Sequence, residues 1–209
     1  MNYIENIYVC LAAPLLISVI LSHNMGRQTM LFVLAGMSMC LLSSYISTFL
    51  ASVYALDYVT ASISIAPIVE ETMKLLPVLF YLLVFEPKVE SIPPSMFAIA
   101  TGFATFENVC YLTQNGTSRL LDLLIRGFGT GVMHVICGVI IFTGLIAFWE
   151  KRWLRAAGVF GLLAASITYH GIYNMLVLQP RGIAYIGYMI PLFSIALYFF
   201  LDRILWKNH

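Results

Sequence analysis

Long apolar stretches alternate with short polar ones along almost the whole chain. Each of the seven apolar segments is long enough to cross a bilayer core of about 30 Å. They cover residues 4–22, 30–54, 60–85, 94–113, 120–149, 154–178 and 183–205. The pattern predicts an all-α fold, a polytopic transmembrane helix bundle of about seven to eight spans. With no internal repeat and no long linker, residues 1–209 are expected to form a single membrane-embedded domain.

The third segment contains a helix breaker close to its start. Pro67 disfavours a helical conformation at Ala66. We therefore expect residues 59–66 to form a short or broken piece and a new helix to begin at Pro67. Glu70 and Glu71 would then lie near a helix N-terminus, where negative charge is favoured.

Composition supports a membrane protein and excludes two other classes. Hydrophobic residues make up 61% of the chain and charged residues 10%, with a net charge of +1. Soluble domains carry about 25% charged residues. The apolar content excludes a disordered chain, and the lack of basic excess excludes nucleic acid as a partner bound through charge. Glu5 and the absence of Lys and Arg from residues 1–6 predict a retained first helix, not a cleavable signal.

Four cysteines lie inside apolar segments, which predicts buried free thiols and not a disulfide framework. They are Cys10, Cys40, Cys110 and Cys137.

The distribution of cations between the loops predicts the orientation. With seven spans, one face receives seven cations: Arg27, Lys88, Lys151, Arg152, Arg155, Arg203 and Lys207. The other face receives three: Arg119, Arg126 and Arg181. Because cytoplasmic loops carry an excess of Lys and Arg, the count favours an outer N-terminus and a cytoplasmic C-terminus.

A small set of polar side chains falls inside the predicted spans, where charge is costly and usually functional. The set comprises Glu70, Glu71, Lys74, Glu107, Asn108, His134, His170 and Asn174. At 1.5 Å per residue, the ionisable members lie roughly 5–20 Å from one and the same surface. Four segments of alternating direction therefore predict one active site in the outer half of the membrane.

These residue types can support hydrolysis. Two histidines and a glutamate from different helices make a zinc site with an open position, and another carboxylate could be the general base. Asn174 could donate to a developing oxyanion. Lys74 is four residues from Glu70 and three from Glu71, so it can pair with either. The formal charges of the three glutamates and Lys74, with a divalent cation, sum to zero, although protonation would achieve the same balance.

Other hydrolytic designs fit less well. All three aspartates, at positions 57, 122 and 202, lie near span ends, which argues against an aspartyl dyad. The chain has no His-Glu-x-x-His helix. Gly36-Met37-Ser38 is followed by Met39, where a serine nucleophile turn would have glycine.

Four motifs, in order over about residues 64–175, resemble the PrsW family of intramembrane proteases. Glu70-Glu71-Thr72-Met73-Lys74 resembles its Glu-Glu-x-x-Lys motif, and Phe103 to Glu107 resembles Phe-x-x-x-Glu. His134 is similar to the third motif, and His170 to Asn174 resembles His-x-x-x-Asn. The family is similar to the CAAX prenyl endopeptidases, but those carry histidine at the position of Glu107.

The resemblance implies a protease of a bacterial cell membrane. Its substrate would be a membrane-anchored protein cut near the extracytoplasmic face, as in the first cleavage of an anti-sigma factor. Together with the chemistry above, we expect Glu70, Glu71 and Asn174 to be catalytic and Glu107, His134 and His170 to hold one divalent metal ion, zinc above others. Lys74 and Asn108 would support them. A metal-free mechanism with carboxylate-activated water stays open, as does the choice of base between Glu70 and Glu71.

Two other functions remain open at this point. The glutamates and histidines could form the relay of a proton- or ion-coupled transporter, although inverted repeats and polar groups reaching both faces are not visible. The chain could also be a non-catalytic membrane scaffold that binds prenylated or transmembrane partners in the same cavity.

Overall fold

A computed structural model describes residues 4–21, 24–88, 91–115, 120–148 and 152–206. Within these residues the chain is all α-helical, as predicted, with eight helices and no strand. They are α1 (Ile4–Leu21), α2 (Asn24–Val53), α3 (Tyr58–Ser64), α4 (Ala66–Phe85), α5 (Ile92–Asn115), α6 (Leu120–Phe148), α7 (Arg152–Val177) and α8 (Arg181–Trp206).

The predicted break is confirmed, but it falls at Ile65, between α3 and α4. Ala66, which was expected to lie outside the helix, is the first residue of α4. Pro67 occupies the first turn of α4, where its missing N–H costs no helical hydrogen bond. Asp57 caps α3, its carboxylate accepting from the backbone N–H of Thr60 at 3.0 Å and from the Thr60 hydroxyl at 2.7 Å. These two hydrogen bonds lower the pKa of Asp57, because they stabilise its charged form.

Two other helices begin earlier than the hydrophobic pattern indicates. The predicted span 30–54 is part of a helix that already starts at Asn24, and α5 starts at Ile92. The reason is that a helix can continue through polar residues where its end reaches water. Pro93 and Pro94 fall in the first turn of α5, where proline is tolerated.

The backbones of α2 and α5 approach each other closely at two glycines. A methyl group placed on Gly36 would lie 2.1 Å from the carbonyl oxygen of Ile99, and one on Gly102 would lie 2.1 Å from that of Val33. Small residues permit such close crossings in membrane helices. The crossing fixes α5, and with it Glu107, against α2.

The outward faces of the bundle are strongly apolar, as expected for contact with lipid. Phe80, Phe160 and Phe193 are all more than 60% exposed, and an apolar surface of this extent is unusual in soluble monomers. Four of the described helices are long and apolar enough to cross a membrane by length and composition alone: the stretches 26–53, 124–148, 156–177 and 182–200. Helix α4 carries Glu70, Glu71 and Lys74, so composition alone does not mark it as a span.

The orientation remains a prediction. Most of the cations on which it rests lie outside the residues whose side chains the structure describes: Arg119, Lys151, Arg152, Arg155, Arg181, Arg203 and Lys207. Of the four cysteines, Cys40, Cys110 and Cys137 are free thiols, and the side chain of Cys10 is outside the described set.

Candidate functional site

The polar residues predicted to form one site come from four helices that meet near the α3 end of the bundle. Helix α4 supplies Glu70, Glu71 and Lys74, α5 supplies Glu107, α6 supplies His134 and α7 supplies His170. The imidazole rings of His134 and His170 are 5.1 Å apart and nearly perpendicular. The convergence inferred from span depths therefore corresponds to direct side-chain contact.

Glu71 is the fully buried centre of this cluster. Its Oε1 accepts from the Lys74 ammonium at 2.6 Å and from the Nδ1–H of His170 at 2.7 Å. Its Oε2 accepts from the Ser166 hydroxyl at 2.9 Å. With 0% of its side chain exposed and three donors around it, this carboxylate is occupied in holding its neighbours. A buried charge needs such partners to be tolerated.

His134 links Glu107 to Lys74, which in turn contacts Glu71. The Lys74 ammonium donates to His134 Nδ1 at 3.0 Å, so the ring proton lies on Nε2. That Nε2–H donates to Glu107 Oε2 at 2.5 Å. The other carboxylate oxygen of Glu107 accepts from Arg126 Nη2 at 3.1 Å. Glu107 is thus fixed in orientation by one donor on each of its oxygens.

Helices α5 and α6 pair through polar and aromatic rows with four-residue spacing. The row on α5 is Phe103, Glu107 and Tyr111, and the row on α6 includes Arg126 and His134. Phe103 packs against His134 with ring centroids 5.1 Å apart, and the Arg126 guanidinium lies 3.6 Å over the Tyr111 ring. The antiparallel helices therefore match their rows end to end, with Glu107 in the middle.

Glu70 differs from the other two glutamates. No hydrogen bond to it occurs among the described residues, and 18% of its side chain is exposed. Its Oε2 lies 3.8 Å from His170 Nε2. The carboxylate borders a cleft and has lone pairs free for a water molecule or a substrate group.

A metal ion would find part of a donor set here, although both ring nitrogens of His134 are engaged, Nδ1 with Lys74 and Nε2 with Glu107. One ligand atom each from Glu70, His134 and His170 lies within 4.8 Å of the others. The hydrogen bond from His170 Nδ1 to Glu71 leaves its Nε2 as an electron-pair donor, which is the usual outer-shell arrangement of a metal-binding histidine. The predicted ligand Glu107 contacts His134 but is not a member of this close group, so the ligand role of Glu107 stays a prediction.

A second group of possible ligands comprises Glu71, Cys137 and His170, all buried. It suits a metal less well. Glu71 already accepts three hydrogen bonds, and the Cys137 thiol lies 3.7 Å from both Met133 Sδ and the Ser166 carbonyl oxygen. Cys137 is therefore a packed core residue.

The two asparagines lie at the edge of the site. Asn174 donates from Nδ2 to the carbonyl oxygen of Ser62 at 2.9 Å and so ties α7 to α3. Asn108 has a buried Oδ1 without a hydrogen-bond partner among the described residues. The predicted oxyanion role of Asn174 and the supporting role of Asn108 stay predictions.

Two side chains that contact the cluster, Ser166 and Arg126, were not singled out by reasoning from the sequence. Ser166 stands four residues before His170 on α7, and Arg126 stands eight residues before His134 on α6. Both spacings return to the same helix face. Arg126 was counted only among the cations of one face, although it lies within the predicted span 120–149, and Ser166 has no ionisable group that would mark it.

The site opens into a cleft of about 630 Å³ that residues of α1 to α6 line. Glu70, Glu107 and Arg126 are among them. The C-terminal half of α2 and Tyr58 of α3 line it as well. A peptide could reach the carboxylates through this opening.

A family model described as PrsW family intramembrane metalloprotease matches residues 26–200 of the 209. The match includes α3 to α7 complete and most of α2 and α8. No curated protein and no solved structure gives a significant match.

Proposed function

The chain belongs to the PrsW family of intramembrane metalloproteases, and on that premise we propose that it hydrolyses one peptide bond in a membrane-anchored protein, close to the extracytoplasmic face. The substrate would be of the anti-sigma-factor type. The cation count favours an α3 end that faces the extracytoplasmic side of the membrane, and the family resemblance implies a bacterial cell membrane.

One observation carries this proposal. Glu70, a carboxylate that accepts no hydrogen bond from the described residues, stands beside two buried histidines at the edge of a cleft that is large enough for a peptide. A group that served only helix packing would be expected to have partners, as Glu71 and Lys74 have.

We assign Glu70 as the general base. It takes a proton from the attacking water and returns it to the nitrogen of the leaving amine. Glu71 orients His170 through its Nδ1–H and offsets the charge of Lys74. Lys74 holds the His134 ring in place through its Nδ1. These residues are positioned before substrate arrives, which limits the reorganisation needed during the reaction.

His134, His170 and Glu107 are the proposed holders of one divalent ion, with zinc preferred for nitrogen and carboxylate ligands. His134 would bind through Nε2 only with its ring proton moved to Nδ1, which would break its hydrogen bonds with Glu107 and Lys74. Such an ion would polarise the scissile carbonyl and lower the pKa of a water molecule. Arg126 and the outer hydrogen bonds keep Glu107 directed toward the histidines.

The test separates a base from a ligand. Four purified proteins would be reconstituted in liposomes: wild type, Glu70→Gln, Glu107→Gln and the control Glu86→Gln. The liposomes would also contain a pool of single-span reporter peptides that differ in the sequence next to their membrane span. Mass spectrometry would identify the cut, and elemental analysis would measure the metal. Glu86 is an exposed carboxylate at the opposite end of α4.

We expect Glu70→Gln to keep its metal and lose cleavage by at least a hundredfold, as a general base typically contributes about 10²–10⁴. Glu107→Gln should lose both the metal and cleavage, and Glu86→Gln should lose neither. Metal loss in Glu70→Gln with metal retained in Glu107→Gln would interchange their roles. Cleavage by Glu70→Gln at the wild-type rate, or ion flux without cleavage in the wild type, would refute the protease mechanism.

A further inference from the structure

The part of the cleft wall formed by α2 carries several hydroxyl groups, although the helix is otherwise apolar. Five of the seven α2 residues that line the cleft bear a hydroxyl; the seven are Cys40, Ser44, Tyr45, Ser47, Thr48, Phe49 and Ser52. Polar groups at membrane depth are expensive unless something uses them. The roles proposed for the catalytic residues above do not use these hydroxyls.

Most of these hydroxyls donate their hydrogen bond to a backbone carbonyl of their own helix. Ser44 donates to the carbonyl oxygen of Leu41 at 2.8 Å, Thr48 to that of Ser44 at 2.7 Å and Ser52 to that of Phe49 at 2.7 Å. Each hydroxyl oxygen keeps lone pairs that can accept a hydrogen bond. The Ser47 hydroxyl has no partner among the described residues. The wall is therefore a row of hydrogen-bond acceptors.

A substrate that enters as an intact helix has no use for such a row, because its backbone N–H groups are already paired. An extended segment has unpaired N–H groups, and each would cost several kcal/mol in lipid. We propose that this wall binds an extended, unwound stretch of the substrate, with the α2 hydroxyls accepting its backbone N–H groups. This inference rests on the protease function proposed above.

The size of the wall sets the length of this stretch. From Cys40 to Ser52 the helix rises about 18 Å at 1.5 Å per residue. An extended chain covers this distance with about five residues at roughly 3.3 Å each. At the open end, Phe49 and Tyr58 are 64% and 76% exposed and can receive apolar side chains. The preferred substrate would have about five uncharged residues of low helix propensity at its cleavage site.

Disulfide cross-linking can distinguish an extended from a helical substrate. Thr48→Cys would be made in a Glu70→Gln background with the native cysteines replaced, so that substrate binds without being cut. The probe is a reporter peptide that the wild type cleaves, carrying one cysteine at each of eight consecutive positions. The matched control is Thr168→Cys, because Thr168 is also exposed, donates to the carbonyl oxygen four residues earlier at 2.8 Å and does not line the cleft.

An extended segment should cross-link to Thr48→Cys at alternate positions, since its side chains alternate in direction. Cross-links spaced by three or four residues would overturn the inference, as would cross-links no stronger than those of Thr168→Cys. Both outcomes leave the protease function standing if the wild type cleaves the peptide. If no reporter is cleaved, the proposed function fails and the inference fails with it.

A kinetic measurement gives a second check with a conservative change. Thr48→Val removes the hydroxyl while keeping the shape of the side chain. Loss of one hydrogen bond to the substrate should lower kcat/KM about fivefold, and the metal content should not change. An unchanged kcat/KM for Thr48→Val, equal to that of Thr168→Val, would contradict a role for the hydroxyl.

Discussion

Glu70 and Glu71 are neighbours in the sequence, but the structure gives them opposite roles in stability. Glu71 is completely buried and accepts hydrogen bonds from Lys74, His170 and Ser166. Glu70 accepts none from the described residues and is partly exposed. Replacing each with glutamine should therefore produce different effects, although the two substitutions are chemically identical.

The size of the effect follows from the ion pair. Glu71→Gln would leave the Lys74 ammonium, which is 2% exposed, without a compensating charge. Removing one partner of a buried pair costs about 3–5 kcal/mol. Glu70→Gln removes no hydrogen bond and should change the free energy of unfolding by less than about 0.5 kcal/mol, as for a substitution away from such features.

The assay is thermal unfolding in detergent, with the double variant Glu71→Gln and Lys74→Met as the decisive sample. Removing both charges takes away the unpaired ammonium, so the double variant should be more stable than Glu71→Gln alone and remain inactive. Equal stability of Glu70→Gln and Glu71→Gln would refute the reasoning. So would a double variant that is less stable than Glu71→Gln, because Lys74 would then be stabilising through other contacts.

Three further changes have measurable consequences. Arg126→Met should reduce metal affinity about 10- to 100-fold, because Glu107 loses an outer hydrogen-bond partner, and Arg126→Lys should reduce it less. Equal metal affinity of Arg126→Met and wild type would argue against a ligand role for Glu107 that depends on Arg126. Gly102→Ala should lower the free energy of unfolding by about 1–3 kcal/mol, because the added methyl group clashes with the Val33 backbone. The control Gly161→Ala, whose methyl group would meet nothing within 4 Å, should not destabilise the protein. Similar melting temperatures of the two variants would contradict the close crossing of α2 and α5. Because the pKa of Asp57 is lowered in the folded protein, its cap stabilises α3 at pH values above the ordinary Asp pKa, and this stabilisation is lost as the pH falls through the lowered pKa. Faster hydrogen exchange of the α3 amides at low pH should show the loss. Asp57→Asn should abolish this pH dependence.

The parts of the structure that the sequence predicts well are those governed by local rules. A helix break close to Pro67 follows from the restriction that proline places on the chain before it, although the break falls at Ile65 and Ala66 itself is helical. The all-α fold follows from the long apolar segments. Convergence of the glutamates and histidines follows from span depth, because alternating helices bring equal depths together. None of these inferences requires knowledge of which helices are neighbours.

The parts that sequence reasoning missed depend on helix rotation and on partners. Glu70 and Glu71 differ by only one helical position, and the surrounding helices decide which of them is buried. Glycines of segment 120–149 predict close packing, and Gly129 and Gly144 do lie against side chains of neighbouring helices. The closest backbone approaches, at Gly36 of α2 and Gly102 of α5, were not predicted. The α2 hydroxyls have helical spacing, but only the position of α5 and α6 shows that they face a cleft with the carboxylates.

Arg126 also changes the charge balance of the site. The three glutamates and Lys74 contribute −3 and +1, and Arg126, in contact with Glu107, adds another +1, so the protein groups sum to −1 and not −2. With a divalent ion the formal sum is +1, whereas the count without Arg126 gives zero. Hydrolysis of an amide develops one negative charge on the carbonyl oxygen. A site with one excess positive charge favours that state over the neutral substrate. We therefore expect Arg126→Met to lower kcat more than it raises KM, an effect that helix packing alone would not produce.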